Sequence, residues 1–260
     1  MYQLLVAIFI MTSGLSYSQT YNRCGMPTGH ACSEFPSRLE AFKKLRQNEN
    51  DHQQALDNMT LVETVQKNFN LNLEYTVDNF IYLQIALGGV NGTDATRDAF
   101  NYLTQFLNIN NYSLHNLITY YVHAIKMEND NAQAHQNFDL IIKSVSGQIH
   151  LEVSNYMFYA ILETEGGNNY TDDARDSFRR LLEASQYFAV NDLLDSWKSM
   201  VRAENDRQQA VTNQMLVYRA GKKCGSLTVA TNDFLEVLKQ VGGSNYTDIA
   251  QDLYKRLYDL

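Results

Sequence analysis

Three glycine pairs, each followed by nearly the same words, constrain this chain more than any other feature. "LGGVNGTDATRDAF", "EGGNNYTDDARDSF" and "VGGSNYTDIAQDLY" align on Gly88-Gly89, Gly166-Gly167 and Gly242-Gly243. A second landmark keeps step: Glu-Asn-Asp recurs at Glu49–Asp51, Glu128–Asp130 and Glu204–Asp206, at a near-constant distance ahead of each glycine pair. Two landmarks at matched offsets identify an internal triplication, with an expected repeat of about 77 residues.

The segments between the landmarks carry the helical period. In "LVETVQKNFNLNLEYTVDNFIYLQIAL" the residues Val62, Val65, Phe69, Val77, Phe80, Ile81 and Leu87 fall at mixed three- and four-residue steps, without proline. Each glycine pair suits a left-handed helix stop. Thr93, Thr171 and Thr247 read as N-caps, followed by Asp94, Asp172 and Asp248 where the helix dipole favours an anion. The expected unit is therefore one helix, a tight turn and an antiparallel helix such as "DARDSFRRLLEASQYFAVNDLLDSWKSMV". Glu-Asn-Asp reads as the turn between units, its Asn and Asp suited to leaving one helix and capping the next. The expected fold class is all-α, three tandem antiparallel helix hairpins forming a bundle or array, with units at approximately 49–127, 128–203 and 204–260. "SRLEAFKKLRQNEND" resembles "DSWKSMVRAEND", so the repeat domain, 37–260, starts partway through a repeat helix. "QDLYKRLYDL" ends partway through the equivalent one, and half-helices of this kind help cap an array.

The segment 1–18, with an apolar run from Leu4 to Ile10 and small residues at Ser16 and Ser18, reads as a secretory signal peptide. That run is far short of the roughly 20 apolar residues a membrane helix needs. A segment at 19–36 holds two of the three cysteines, Cys24 and Cys32; the third is Cys224. In an oxidising compartment Cys24 and Cys32 can close a small loop, or one of them can tie the N-terminal segment to Cys224, leaving one thiol over. Secretion also gives meaning to the Asn-x-Ser/Thr sequons at Asn58, Asn91, Asn111, Asn169 and Asn245. Asn91, Asn169 and Asn245 share one repeat position in an expected exposed turn. Asn58 lies within an expected helix, and Asn111 at a local break.

A formal net charge of −8 argues against nucleic acid and anionic membranes as partners. The six histidines show no i, i+4 pair suited to a metal. The acids of "DDARD" (Asp172, Asp173, Asp176) are explained by their place at a helix N-terminus. The 17 tyrosines fit inter-helix packing, or the lining of a site for a small apolar ligand. No cofactor signature and no catalytic motif is present.

"SGQIHLEVSNYMFYAILETEGGNNYTDDARDSFRRLLE" resembles the first helix pair of ferritins, most closely the secreted ferritin subunits of insects. The resemblance implies that Glu152 stands at ferritin's iron-ligating glutamate and Tyr159 at the site's tyrosine, with Glu74 matching the glutamate in the first copy and Ile81 replacing the tyrosine. Ferritin's second helix adds Glu-x-x-His. Counted from Phe178 those positions fall on Ala189 and Asp192, and from Phe100 on Asn111 and Leu114, so the pair is missing. The resulting expectation is a secreted, non-enzymatic helical glycoprotein acting by binding or assembly, as a homo- or hetero-oligomer with an unspecified ligand. The alternatives are a catalytically inactive ferritin-like iron-storage subunit and a carrier of a small apolar ligand.

Overall fold

The computed structural model describes residues 30–107, 112–145 and 149–260, with side chains from residue 34 onward. The fold is all-α: twelve α-helices and three short 3-10 turns, with no β-strand among the described residues. Two compact units divide between Thr119 and Tyr120. The first holds α1 (His30–Gln47), α2 (His52–Phe69), α3 (Leu73–Ala86), α4 (Thr93–Thr104) and the start of α5 (Leu114–Met127). The second holds the rest of α5 with α6 (Asn131–Lys143), α7 (Leu151–Glu165), α8 (Thr171–Ala184), α9 (Val190–Ala203), α10 (Arg207–Cys224), α11 (Leu227–Val241) and α12 (Thr247–Tyr258). The landmark sets beginning at Glu128 and Glu204 thus share one compact unit. Within it α9 packs on both α7 and α8, and Arg207 at the start of α10 reaches back to Glu165 and Asp173.

The Asp of each Glu-Asn-Asp does cap the following helix. Asp51 accepts from the backbone of Gln53 and Gln54, Asp130 from Ala132 and Gln133, and Asp206 from Gln209. These contacts satisfy amides that open a helix without intrahelical partners. The glycine pairs end α7 and α11 in matched fashion. Gly166 and Gly242 are left-handed at φ +113° and +111°, and Gly167 and Gly243 follow at φ +87° with ψ −159° and −162°. The Gly167 amide then reaches Leu162 O and the Gly243 amide reaches Leu238 O, both at 2.8 Å. This is the double-bonded helix stop that needs a residue without Cβ. The first turn differs: Gly89 has φ +64°, and Gly92 stands where the others have Tyr170 and Tyr246. A Cβ on Gly92 would overlap Leu87 O, so that turn is closed more tightly.

The expected single helix from Glu-Asn-Asp to the glycine pair is two helices in every case. Asn70 takes the left-handed conformation (φ +51°, ψ +44°) to end α2, and the Asn72 side chain accepts from Tyr75 N to start α3. Gly225 ends α10 at φ +79°, and Ser226 Oγ accepts from Val229 N to start α11. In the second set α6 ends at Lys143 and α7 begins at Leu151. The long second helix is broken too, between Ala184 and Val190. The first two sets of landmarks therefore frame four helices each and the third frames three, rather than a hairpin, because short polar residues and glycine offer the backbone local alternatives to helix.

The core repeats as well. Phe80 meets Phe100 edge-on at 5.2 Å between ring centroids, Phe158 meets Phe178 at 5.5 Å, and Phe234 meets Tyr254 at 5.1 Å. Each pair is fully buried between the helices before and after a glycine turn. Edge-to-face contacts of this kind are worth about 0.5–1.5 kcal/mol beyond burial.

Candidate functional site

The residues that recur most faithfully converge on a polar cluster, formed three times, buried around Glu49 and Glu204 and half-buried around Glu128. In the first unit Glu49 is 3% exposed. Its Oε1 accepts from Asn58 Nδ2 at 2.7 Å, Gln84 Nε2 at 2.5 Å and Thr93 Oγ1 at 2.6 Å. Glu128 accepts from Asn137 Nδ2 at 2.5 Å and Thr171 Oγ1 at 2.7 Å. Glu204 accepts from Asn213 Nδ2 at 2.6 Å, and Thr247 Oγ1 lies 2.8 Å from both its oxygens. The asparagine is in turn held by the helix after the glycine turn. Arg97 Nε and Arg175 Nε each donate to it at 2.7 Å, and Gln251 Nε2 does so at 2.8 Å. The two arginines also donate to the carbonyls of Gln54 and Gln133.

The cluster corrects the reading of the threonines. Thr93, Thr171 and Thr247 are already in right-handed helical conformation, and the cap positions before them, Gly92, Tyr170 and Tyr246, carry no side-chain cap bond. Each hydroxyl serves the distant glutamate instead of its own helix. A buried carboxylate that accepts only from neutral amides and a hydroxyl is a strut between three helices. At Glu49 and Glu204 little of the carboxylate is presented to solvent. The signal was in the sequence: the landmark Glu is followed at a fixed offset by Asn (Asn58, Asn137, Asn213) and at a near-constant one by Thr (Thr93, Thr171, Thr247).

Asn58, a sequon asparagine, is one of these struts. It is fully buried, with Nδ2 on Glu49 and Oδ1 facing Arg97, so the folded structure leaves no space for a glycan on it. Its counterparts Asn137 and Asn213 are not in sequons, which identifies the Asn58 role as packing. Asn91, Asn169 and Asn245 are exposed on the 3-10 turns after the glycines. Asn111 lies outside the described residues, as does Cys24; Cys32 lies in α1 with its side chain outside them. Cys224 is an exposed free thiol whose Sγ lies 3.2 Å from Ser226 O.

The ferritin-like positions are not brought together. Glu74 is exposed and paired with Lys44 Nζ at 3.0 Å. Glu152 is exposed in the first turn of α7, whereas Tyr159 on the same helix is buried, its ring 4.3 Å from that of His123. Burial raises the Tyr159 phenol far above its ordinary pKa. Ala189 lies beyond the end of α8, so the helix that would carry the missing ligands stops short of them. Among the described residues no group of three His, Cys, Asp or Glu side chains is placed to hold a metal. The acids of "DDARD" are each matched by a cation: Asp172 by Arg175 at 2.8 Å, Asp173 by Arg207 at 3.1 Å and Asp176 by Arg179 at 2.8 Å. Asp172 and Asp176 line an open cavity of about 550 Å³ between α6 and α8, shared with Asp139, Lys143 and Gln136. Among the tyrosines, Tyr121 and Tyr159 are buried as packing residues and Tyr156 is exposed.

No protein-family model, curated protein or solved structure matches this chain. Among the described residues no helix is long and apolar enough to cross a membrane.

Proposed function

We propose that this chain is a secreted, non-enzymatic helical glycoprotein, built of three tandem repeats, whose work is binding or assembly through its surfaces. The observation that carries this reading is the fate of the recurring polar residues. Glu49, Glu128 and Glu204, with their Asn and Thr partners, are consumed in contacts inside the chain. A triplicated residue set devoted to a reaction would instead be held open to a substrate. Three copies of a strut make a scaffold. The exposed sequons at one repeated turn support the extracellular side of the reading, since such turns are accessible to glycosylation.

The test is expression of the full chain in a eukaryotic secretory host. The protein is expected in the medium, beginning near Gln19, with glycans on at least two of Asn91, Asn169 and Asn245 and none on Asn58. Retention inside the cell, or secretion with all three turn asparagines unmodified, overturns it.

A further inference from the structure

Positions that are buried in the middle of the chain are exposed at two places, α1 and α12. On α12 and the residues just after it, Ile249, Leu253, Leu257 and Leu260 are 56%, 38%, 65% and 40% exposed. Steps of four put Ile249, Leu253 and Leu257 on one face, with Leu260 just after the left-handed Asp259, while Ala250 and Tyr254 bury the adjacent face against α11. The glycine-pair register matches Leu253 and Leu257 with Ala99 and Leu103 of α4 and with Ser177 and Leu181 of α8, all of which are buried. On α1, Phe35 is 51% and Leu39 is 39% exposed. The Glu-Asn-Asp register matches Leu39 with Ile118 and Leu194, both buried, and the half-exposed Phe42 with Tyr121 and Trp197, also buried.

Within the second unit the structure shows what covers these faces. The α8 face carrying Asp173 and Ser177 is taken by Arg207, whose guanidinium meets Asp173 Oδ1 at 3.1 Å and Ser177 Oγ at 3.1 Å. Helix α9 lies on α7 and α8, with the Trp197 ring 5.9 Å from the Arg180 guanidinium carbon. Lys198 and Val201 of α9 face Ala160 and Thr164 of α7 across a shared cavity. That joint has two halves: an α9 stripe of Leu194 and Trp197, and the outer side of the α7–α8 pair. The stripe of α1 (Phe35, Leu39, Phe42) is the first half left uncovered. The outer side of α12 is the second half left uncovered, with the charged and hydroxyl positions Asp173 and Ser177 replaced by Ile249 and Leu253.

We propose that α12 of one molecule receives α1 and the start of α2 of a second copy of this chain, head to tail, reproducing between molecules the joint that α9 and Arg207 at the start of α10 make with α7 and α8 inside one. Arg256 stands in the register of Arg180 and would lie over Phe42 as Arg180 lies over Trp197. The cations Arg38, Lys43 and Lys44 on α1 are already paired within the chain, with Glu63, Glu40, and Glu74 and Asp78, so the joint rests on its apolar stripe and the repeat register rather than on charge. Such a contact is heterologous, so it builds rings or open chains rather than a closed twofold dimer. This inference rests on the repeat reading proposed above, and specifies its assembly arm.

Light scattering on the secreted full-length protein over a range of micromolar concentrations tests it. The wild type is expected to reach two or more chain masses, rising with concentration. Leu253→Asp/Leu257→Asp (tail broken) and Leu39→Asp (head broken) are each expected to stay at one chain mass with helical circular dichroism unchanged. Should the double variant fail to fold, Leu257→Asp alone, at the most exposed of the four positions, replaces it. Mixed in equal amounts, the two variants are expected to recover one joint and stop at two chain masses, because each supplies one intact face. A wild type that is monomeric throughout overturns the proposal. So does a head-broken variant that assembles fully, which would mark a tail-to-tail contact, and so does a mixture that stays monomeric. Secretion and glycan occupancy are read independently in the same preparation. A monomer bearing turn glycans therefore sinks the joint alone, and an unglycosylated protein sinks the underlying reading.

Discussion

Thr247→Val isolates the contact on which the repeated cluster depends. The substitution keeps the shape and β-branching of residue 247 and removes one hydroxyl. That hydroxyl lies 2.8 Å from both oxygens of Glu204 and 3.1 Å from Ser244 O, and with one proton to give it serves the carboxylate. Thr247 is 1% and Glu204 is 9% exposed, so water does not substitute for the lost donor. A hydrogen bond to a charged group is worth about 1.5–3 kcal/mol. Glu204 keeps Asn213 at 2.6 Å and is not orphaned. The expected cost is therefore about 2 kcal/mol, in the lower part of that range. The substitution also destroys the Asn245 sequon, so Asn245→Gln is the reference, and Thr247→Ser, which retains hydroxyl and sequon, is expected to stay within about 0.5 kcal/mol of wild type. Urea unfolding of all three gives the difference. A cycle with Glu204→Gln separates a bond to Glu204 from a local cap, with an expected coupling of about 1 kcal/mol or more. Thr247→Val matching Asn245→Gln within error, or a coupling of zero, would refute the strut.

Other perturbations bear on separate links. A Cβ at Gly167 meets nothing within 4 Å, so the cost of Gly167→Ala is backbone strain at φ +87°, ψ −159°. It is expected at about 1–3 kcal/mol, and an unchanged urea midpoint would show that the turn relaxes. Arg207→Met removes the cation that faces Glu165; the Glu165 side chain is 2% exposed and that of Arg207 is 30% exposed. The expected cost is about 2 kcal/mol, less than for a fully buried pair. Adding Glu165→Gln is expected to recover part of it, and no recovery would place the loss elsewhere. His123 is expected to make stability fall on mild acidification. Burial holds its pKa below the ordinary value, outweighing the Asn155 hydrogen bond, and Lys126 pushes the same way against Glu163. The unfolded chain therefore takes up the proton first, and its stabilising share, complete above about pH 6.5, is lost as pH drops through the folded value. His123→Gln is expected to flatten the dependence of the melting midpoint on pH in that window, and an unaltered slope would contradict it.

The sequence carried the helical class and the helix stops because both depend on local chemistry. The glycine pairs end helices by a conformation only glycine tolerates, and Asp51, Asp130 and Asp206 cap by reaching two or three residues along. What it hid was everything decided by side chains meeting across long stretches of chain. Thr93 beside Asp94 satisfies the local pattern for a cap, yet its hydroxyl is spent on Glu49 in the preceding inter-helix turn, and a local rule cannot see a distant acceptor. Asn58 fits a sequon and a helix equally well, and only burial decides between them. The breaks at Asn70 and Gly225 fall where no common word marks them, since the sets use different residues to turn the same corner.

That difference separates what the three landmark sets share from what varies among them. The corner between α2 and α3 is made by Asn70, and that between α10 and α11 by Gly225, residues with little in common except access to the left-handed region. The arginine on the strut has likewise become Gln251 in the third set while still reaching Asn213 at 2.8 Å. Glu, Asn and Thr do not vary among the three sets. A largely buried carboxylate loses stability with each donor removed, because each unmade bond costs part of the desolvation of a charged group, on the order of a few kcal/mol. Corners and outer donors face milder penalties. The repeated words in this sequence thus mark where substitution is most costly to the fold. The residues that distinguish the sets, such as Ile249 and Leu253 where the second has Asp173 and Ser177, are where its sets of helices present different surfaces.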